Sequence, residues 1–169
     1  MHHSIINLVS IQNTLKTNKA NIIAVSKTFP VSEILPLVEQ KQIHFGENKV
    51  QEAVEKWTKI KREFKDIKLH MIGKLQTNKV KFVVPLFDYI HSLDSIKLAQ
   101  KINQEQNKIK KNLKIFVQVN IGNEEQKSGI KVEDLEEFYK KCMLDFNLNI
   151  VGLMCLPPKN INSNEYFLK

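Results

Sequence analysis

The stretch KIFVQVNIGNEEQKSGIKVEDLEEFYKKCMLDFNLNIVGLMCLPP, residues 114–158, decides the fold class. It opens with KIFVQVNI (114–121), the clearest strand pattern in the chain, dense in β-branched and aromatic residues. Val132 to Met143 then places Leu135, Phe138 and Tyr139 at helical spacing. NIVGLMCL (149–156) is a second short apolar run, closed by Pro157 and Pro158. Strand, helix, strand in this order is a βαβ unit, and its two strands pair in parallel.

The same alternation runs upstream. Residues 4–17 have helical apolar spacing through Ile5, Leu8, Ile11 and Leu15. IIAVS (22–26) reads as a buried strand, and Pro30 and Ser32 open a helix with Ile34, Leu35 and Val38 on one face. IHF (43–45) is the next strand, and Asn48 is placed to cap a long helix with Val50, Ala53, Val54 and Trp57 inward. KLHMI (68–72) is a strand, Gln76 to Val84 a helix stopped near Pro85, and DYIHSL (88–93) a strand. Asp94 or Ser95 caps a helix with Ile96, Leu98, Ala99 and Ile102. A further element is expected to begin at Asn164 to Leu168. The order is α(βα)₅β, a parallel sheet covered by helices. Periodicity leaves two architectures open, a doubly wound sheet and a (β/α)₈ barrel; a barrel needs eight strands, and six are counted.

The chain has 169 residues, 42% hydrophobic and 26% charged, which fits one ordinary globular domain spanning 1–169. The formal charge is +8, but 25 of the 26 basic residues are Lys and only Arg62 is Arg. Lys, Ile and Asn make up 60 of the residues, so the basic balance follows A/T-rich codon usage. Nucleic-acid readout favours Arg forks and interleaved aromatics, and the basic cluster KIKK (108–111) has neither. Cys142 and Cys155 form no metal spacing or disulfide framework, which suits a reducing cytoplasm. No apolar run reaches the ~18 residues of a membrane span, and MHHSIINLVS lacks the pattern of a secretory signal.

In both architectures chemistry sits at the C-terminal ends of the strands. Those ends carry Ser26-Lys27-Thr28, Phe45-Gly46-Glu47-Asn48, His70 to Gly73, His91-Ser92, Asn120 with Glu124, Glu125, Lys127, Ser128 and Gly129, and Met154-Cys155. Lys27, directly after IIAVS, is expected at the mouth of an apolar core, where partial desolvation frees an amine for Schiff-base chemistry. The same position also suits a lysine that snorkels from a strand end. Asn48 reads equally as a helix cap, and His70 as a buried, hydrogen-bonded histidine. No paired carboxylates, Ser-His-Asp set, HExxH or phosphate loop is visible.

Six strings occur together and in one order: AVSKTFP (24–30), FGENKVQEA (45–53), LHMIGKLQTNK (69–79), HSLDS (91–95), QVNIGNEEQKSGI (118–130) and GLMCLPP (152–158). With them the chain resembles the YggS/PROSC family, the pyridoxal 5′-phosphate homeostasis proteins. The resemblance implies an α/β TIM-type (β/α)₈ barrel of the alanine racemase N-terminal type, incomplete here with about six of eight strands. It implies that Lys27 holds pyridoxal 5′-phosphate as a Schiff base, and that Asn48, His70 and Met154 line the cofactor site. The implied role is cofactor homeostasis in the cytoplasm without catalysis, with pyridoxal phosphate and PLP-dependent apoenzymes as partners and no nucleic acid or membrane.

The sequence also departs from that family. Nothing in 159–169 matches the family's SMGMS-type and R-x-G-type segments, and Arg62, on an expected helix, cannot be the arginine of the second. Lys49 stands where some members have tyrosine. The expectation is a C-terminally truncated domain that keeps the covalent half of the site and lacks phosphate contacts worth roughly 1.5–3 kcal/mol each. Strands 1 and 6 are then expected as open apolar edges. The competing readings are a non-functional gene remnant, half of a split barrel needing a C-terminal partner, an amino-acid racemase, and a basic nucleic-acid module. The racemase reading needs a second base from another domain, for which the chain has no room.

Overall fold

A computed structural model describes residues 2–15, 20–122, 124 and 127–157. Helix α1 (His3–Thr14) is followed by β1 (Ala24–Val25), α2 (Val31–Glu39), β2 (His44–Glu47) and α3 (Val50–Glu63). Then come β3 (Lys68–Met71), a 3-10 turn (Thr77–Lys79), α4 (Val80–Leu86), β4 (Tyr89–Leu93) and α5 (Ile96–Ile109). The described chain closes with β5 (Lys114–Val119), a 3-10 turn (Val132–Asp134), α6 (Leu135–Leu144) and β6 (Asn149–Cys155). The element expected at 164–168 lies outside the described residues.

Several boundaries differ from expectation, two of them for clear local reasons. Helix α3 begins at Val50 with Lys49 at its cap, so Asn48 stands one residue too early to cap it and is free for another role. Helix α4 continues through Pro85 to Leu86, because a proline near the end of a seven-residue helix removes only one internal bond. At α5 the expected cap forms: Ser95 Oγ accepts the Leu98 N–H at 3.3 Å.

All six strands pair in parallel, in the order β1-β2-β3-β4-β5-β6. This order decides between the two architectures. A doubly wound sheet must reverse its strand order at a switch point. An order that only advances, with right-handed crossovers, puts every helix on one side and curls the sheet into part of a barrel. No pairing joins β6 to β1 among the described residues. On β6 the helix-facing Val151 and Leu153 are 43% and 57% exposed, whereas Ile115 and Val117 of β5 are fully buried.

The core lies between the helices and the outer face of the sheet. Phe45, Leu69, Met71, Ile90, Ile115 and Val117 meet Ile34, Ala53, Trp57, Val83, Ile102 and Phe138. Trp57 packs on Phe45 with ring centroids 4.8 Å apart. Cys142 is buried in this layer, and burial pushes its thiol up to about 11, away from thiolate chemistry.

The interior face is polar and aromatic. His44, His70 and His91, from three successive strands, form a hydrogen-bonded chain. His44 Nδ1 lies 2.9 Å from His70 Nε2, and His70 Nδ1 lies 2.8 Å from His91 Nε2. His70 stacks on Tyr89 at 4.1 Å, and His91 on Phe116 at 4.4 Å. Each contact needs one donor and one acceptor, so the three rings fit together as neutral imidazoles pointing their protons one way along the chain. Burial first, then the neighbouring His91 and His44, holds His70 down to about 3; burial holds His91 down to about 4. His44 is lowered too, by burial and then by Lys68 and Lys114.

Two outcomes are expected from this fold. The imidazoles bind protons more weakly folded than unfolded, so their contribution is complete above about pH 6.5. It falls as the pH drops through that value toward 4, because the unfolded chain takes up the protons first. Urea midpoints measured from pH 7 to pH 4 should therefore decline, and His91→Gln should flatten the decline; a level profile would contradict neutral imidazoles. Separately, Lys110 ends α5 at φ 51° and ψ 41°. Lys110→Gly relieves about 1–2 kcal/mol of left-handed strain and costs about 0.5–1 in chain entropy. A net gain of about 0.5–1 kcal/mol is expected in chemical denaturation.

Candidate cofactor site

A cavity of about 340 Å³ opens at the C-terminal ends of β2, β3, β5 and β6. Its apolar wall is Ile72, Met154 and Leu156; its polar wall is Asn48, Gln118, Asn120 and Ser128; two ammonium groups, Lys74 and Lys127, also line it. Strand alternation explains the membership. Gln118 pairs with Met154 in register, so both fall on the interior face with Phe116, whose ring lies against Gly152. Asn48 follows Gly46 on the same parity, and Gly46 faces Ile72 and Ile23 across the interior.

Two glycines bring backbone close to backbone here. A Cβ on Gly73 would run into the Asn48 main chain, so this glycine lets the β3 exit lie against the β2 exit. Gly129 has φ 128°, and a Cβ there would lie 2.7 Å from the Asn120 nitrogen. It lets the segment after β5 fold back on the strand that it leaves. Asn120 N–H donates to the Ile130 carbonyl at 2.9 Å, and Ile130 N–H donates to Gln118 O at 2.8 Å. The Gln118 amide donates to Ser128 O at 3.1 Å, and the Asn120 amide donates to Glu124 O at 2.9 Å. Lys127 pairs with Glu124 at 2.6 Å and donates to Pro157 O at 3.3 Å, tying this segment to the end of β6. Glu125 lies outside the described residues.

The four residues singled out in the sequence occupy three levels. Asn48 and Met154 line the cavity. His70 does not: it is buried, with both ring nitrogens engaged by His44 and His91. Lys27 sits in the turn after β1, on the same rim but outside the cavity lining. It is exposed, so the expected partial desolvation of its amine is not seen.

Sequence reasoning passed over the residues that hold that turn. Glu47 is fully buried on the helix side of β2, and its Oε1 accepts from Ser26 Oγ at 2.8 Å, Lys56 Nζ at 2.9 Å and Trp57 Nε1 at 2.9 Å. Glu52 Oε1 accepts the Thr28 amide at 2.7 Å; that bond, and then Lys56, hold its carboxyl below the usual range. The available signal was a glutamate on the helix-facing parity of an apolar strand, with Lys56 and Trp57 nine and ten residues on.

Among the described residues no group of three or more His, Cys, Asp or Glu side chains is arranged to hold a metal ion. No helix among the described residues is long and apolar enough to cross a membrane.

The chain's resemblance to known proteins follows the same lines. The profile of the family "Alanine racemase, N-terminal domain" matches residues 5–165. A pyridoxal phosphate homeostasis protein of Haemophilus influenzae is 38% identical over 154 residues, 91% of this chain and 63% of that protein. One from Buchnera aphidicola is 34% identical over 159 residues, 92% of this chain and 69% of that protein. The chain thus spans about two thirds of the length of these relatives. Among solved structures, PipY of Synechococcus elongatus without PLP superposes with a TM-score of 0.85 at 33% identity, over 94% of this chain and 73% of that one. PipY with PLP bound gives 0.79 at 30% identity, over 94% and 74%. An alanine racemase of Clostridium difficile shares the fold, with a TM-score of 0.72 at 17% identity over 96% of this chain and 42% of that one. In-order parallel topology, a rim cavity and these matches agree: the chain belongs to the alanine racemase N-terminal domain family, among its pyridoxal phosphate homeostasis proteins.

Proposed function

We propose that this chain, as one barrel-type domain, binds pyridoxal 5′-phosphate through Lys27 and serves intracellular homeostasis of the cofactor rather than turnover of a substrate. The observation that carries the reading is the rim cavity itself. It stands within the size range of small-molecule sites, and it combines apolar and polar walls with cationic groups. Ile72, Met154 and Leu156 suit the faces of a flat heteroaromatic ring, Asn48, Gln118 and Asn120 suit its polar substituents, and Lys74 and Lys127 supply charge opposite a phosphate. PipY, a structural relative, has been solved with PLP bound.

When bound, pyridoxal phosphate supplies an aldehyde that condenses with a primary amine and releases water. Lys27 follows β1 by two residues, and Asn48 directly follows β2, the strand paired with β1. His70 supports the site from below through the imidazole chain. Among the described residues the cavity lining contains no histidine, tyrosine or carboxylate, and its titratable groups are Lys74 and Lys127. A lining of that kind favours holding the cofactor over moving protons on a substrate. Two free cysteines fit a cytoplasmic setting, where delivery to PLP-dependent apoenzymes would take place.

Titration of the chain with pyridoxal phosphate should raise an absorbance band near about 420 nm that borohydride abolishes. Lys27→Ala should lower the band at least tenfold, and Asn48→Ala should weaken binding without abolishing it. A band of equal strength in Lys27→Ala overturns the assignment.

A further inference from the structure

One buried ammonium holds the chain on both sides of Lys27. The Lys56 side chain is 7% exposed, on the inward face of α3. Its three donors meet three acceptors: the Ser26 carbonyl at 2.8 Å, Glu47 Oε1 at 2.9 Å and Glu52 Oε1 at 3.1 Å. An ammonium has three N–H groups, so its capacity is filled. Ser26 immediately precedes Lys27. Thr28 immediately follows it and donates its amide to the same Glu52 oxygen at 2.7 Å. Glu47 ties the arrangement to β2 and α3 through Ser26 Oγ and Trp57 Nε1.

Thr28 shows what this clamp does. Its φ is 66°, a left-handed conformation that a β-branched residue rarely adopts. Such a backbone persists where its surroundings over-determine it. Here the surroundings are the Glu52 carboxylate on the Thr28 amide and the Lys56 ammonium behind it. A buried ion pair is a weak stabiliser when set against an apolar replacement of equal volume. Its stronger consequence is geometric, since it fixes both peptide units that flank one residue.

We infer that Lys56, acting with Glu47 and Glu52, is a positioning residue that sets the direction in which the Lys27 amine leaves the end of β1. The inference rests on the proposed role of Lys27 toward pyridoxal phosphate and adds the device that aims it. Lys56 does not reach the cavity. It acts through the Ser26 carbonyl and, by way of Glu52, through the Thr28 amide. Without the clamp the turn relaxes toward ordinary backbone angles, and the direction of the Lys27 side chain is no longer fixed.

The test compares the wild-type chain with Glu52→Ala, Glu52→Gln and Lys56→Met, with Ile115→Ala as a core variant that loosens the fold away from the clamp. One readout is hydrogen exchange at the Thr28 amide. The other is the share of borohydride-trapped pyridoxal phosphate found on Lys27 rather than on other lysines, by peptide mapping. The Glu52 side chain is 28% exposed, so its variants keep the inference testable even if Lys56→Met fails to fold. Glu52→Ala and folded Lys56→Met should lower the Lys27 share about tenfold, as expected for a misaimed reacting group. They should also speed Thr28 exchange and leave the other lysines unchanged. Glu52→Gln keeps a side-chain oxygen and should restore both readouts. Ile115→Ala should lower the melting midpoint without moving the Lys27 share. An undiminished Lys27 share in Glu52→Ala overturns the positioning role while leaving Lys27 as the cofactor amine; so does an equal loss in Ile115→Ala. A wild-type chain that labels Lys27 no more than its other lysines overturns both readings.

Discussion

In-order parallel pairing constrains the rest of the molecule. Each strand passes the chain across a helix to the next position on the same side, so every strand has one face toward helices and one toward the barrel interior. The helix side takes the close-packed core of Phe45, Leu69, Ile90 and Ile115. The interior side grades from a histidine and tyrosine layer, through Phe116, to a cavity lined by Asn48, Gln118 and Met154. A residue's role here follows from two coordinates, its parity along the strand and its height along the barrel.

Two polar networks break that pattern, and their energetics differ. The His44–His70–His91 chain is uncharged at neutral pH, so it avoids the desolvation cost of ions and needs only paired donors and acceptors. The Glu47–Lys56 pair is charged and buried on the helix side, where each ion loses several kcal/mol of hydration. Lys56 recovers this with three full contacts. Glu47 recovers it on one oxygen, while Oε2 is buried without a hydrogen-bond partner. An arrangement this costly is best understood by what it orders, and what it orders is the turn that carries Lys27.

Much of the fold was legible because periodicity records burial. The six strands and the inward sets Ile34 and Val38, Val50, Ala53 and Trp57, and Leu98, Ala99 and Ile102 all follow the spacing of apolar residues. Strand order was not legible from spacing, because an apolar strand reads the same wherever it sits in a parallel sheet; the resemblance to the family supplied the barrel. Asn48 was misread as a cap because a cap residue and a strand-end residue differ by a one-residue shift of the helix start. Lys27 was expected to be half-buried because IIAVS is apolar, but it lies in the turn after β1, where it is exposed. Glu47 was passed over because a lone glutamate at a strand end looks solvated until Lys56 and Trp57 are seen folded onto it.

The same geometry bears on the proposal that this site retains a cofactor. Catalysis on a cofactor ring needs a proton carrier within hydrogen-bond reach of the substrate and tuned near the working pH. The interior face below the rim carries the imidazoles of His70 and His91. Burial holds them far below neutrality, and both nitrogens of His70 are already bonded to other rings. Proton transfer through His70 would require breaking the chain that stabilises the interior layer. The rim, by contrast, carries the amide side chains of Gln118 and Asn120, which do not exchange protons, and backbone folded back at Gly129. The imidazoles are thus withdrawn into the floor, while amide side chains and the ammonium groups of Lys74 and Lys127 line the mouth. On the proposed function, such a lining suits holding an aldehyde more than moving protons at it.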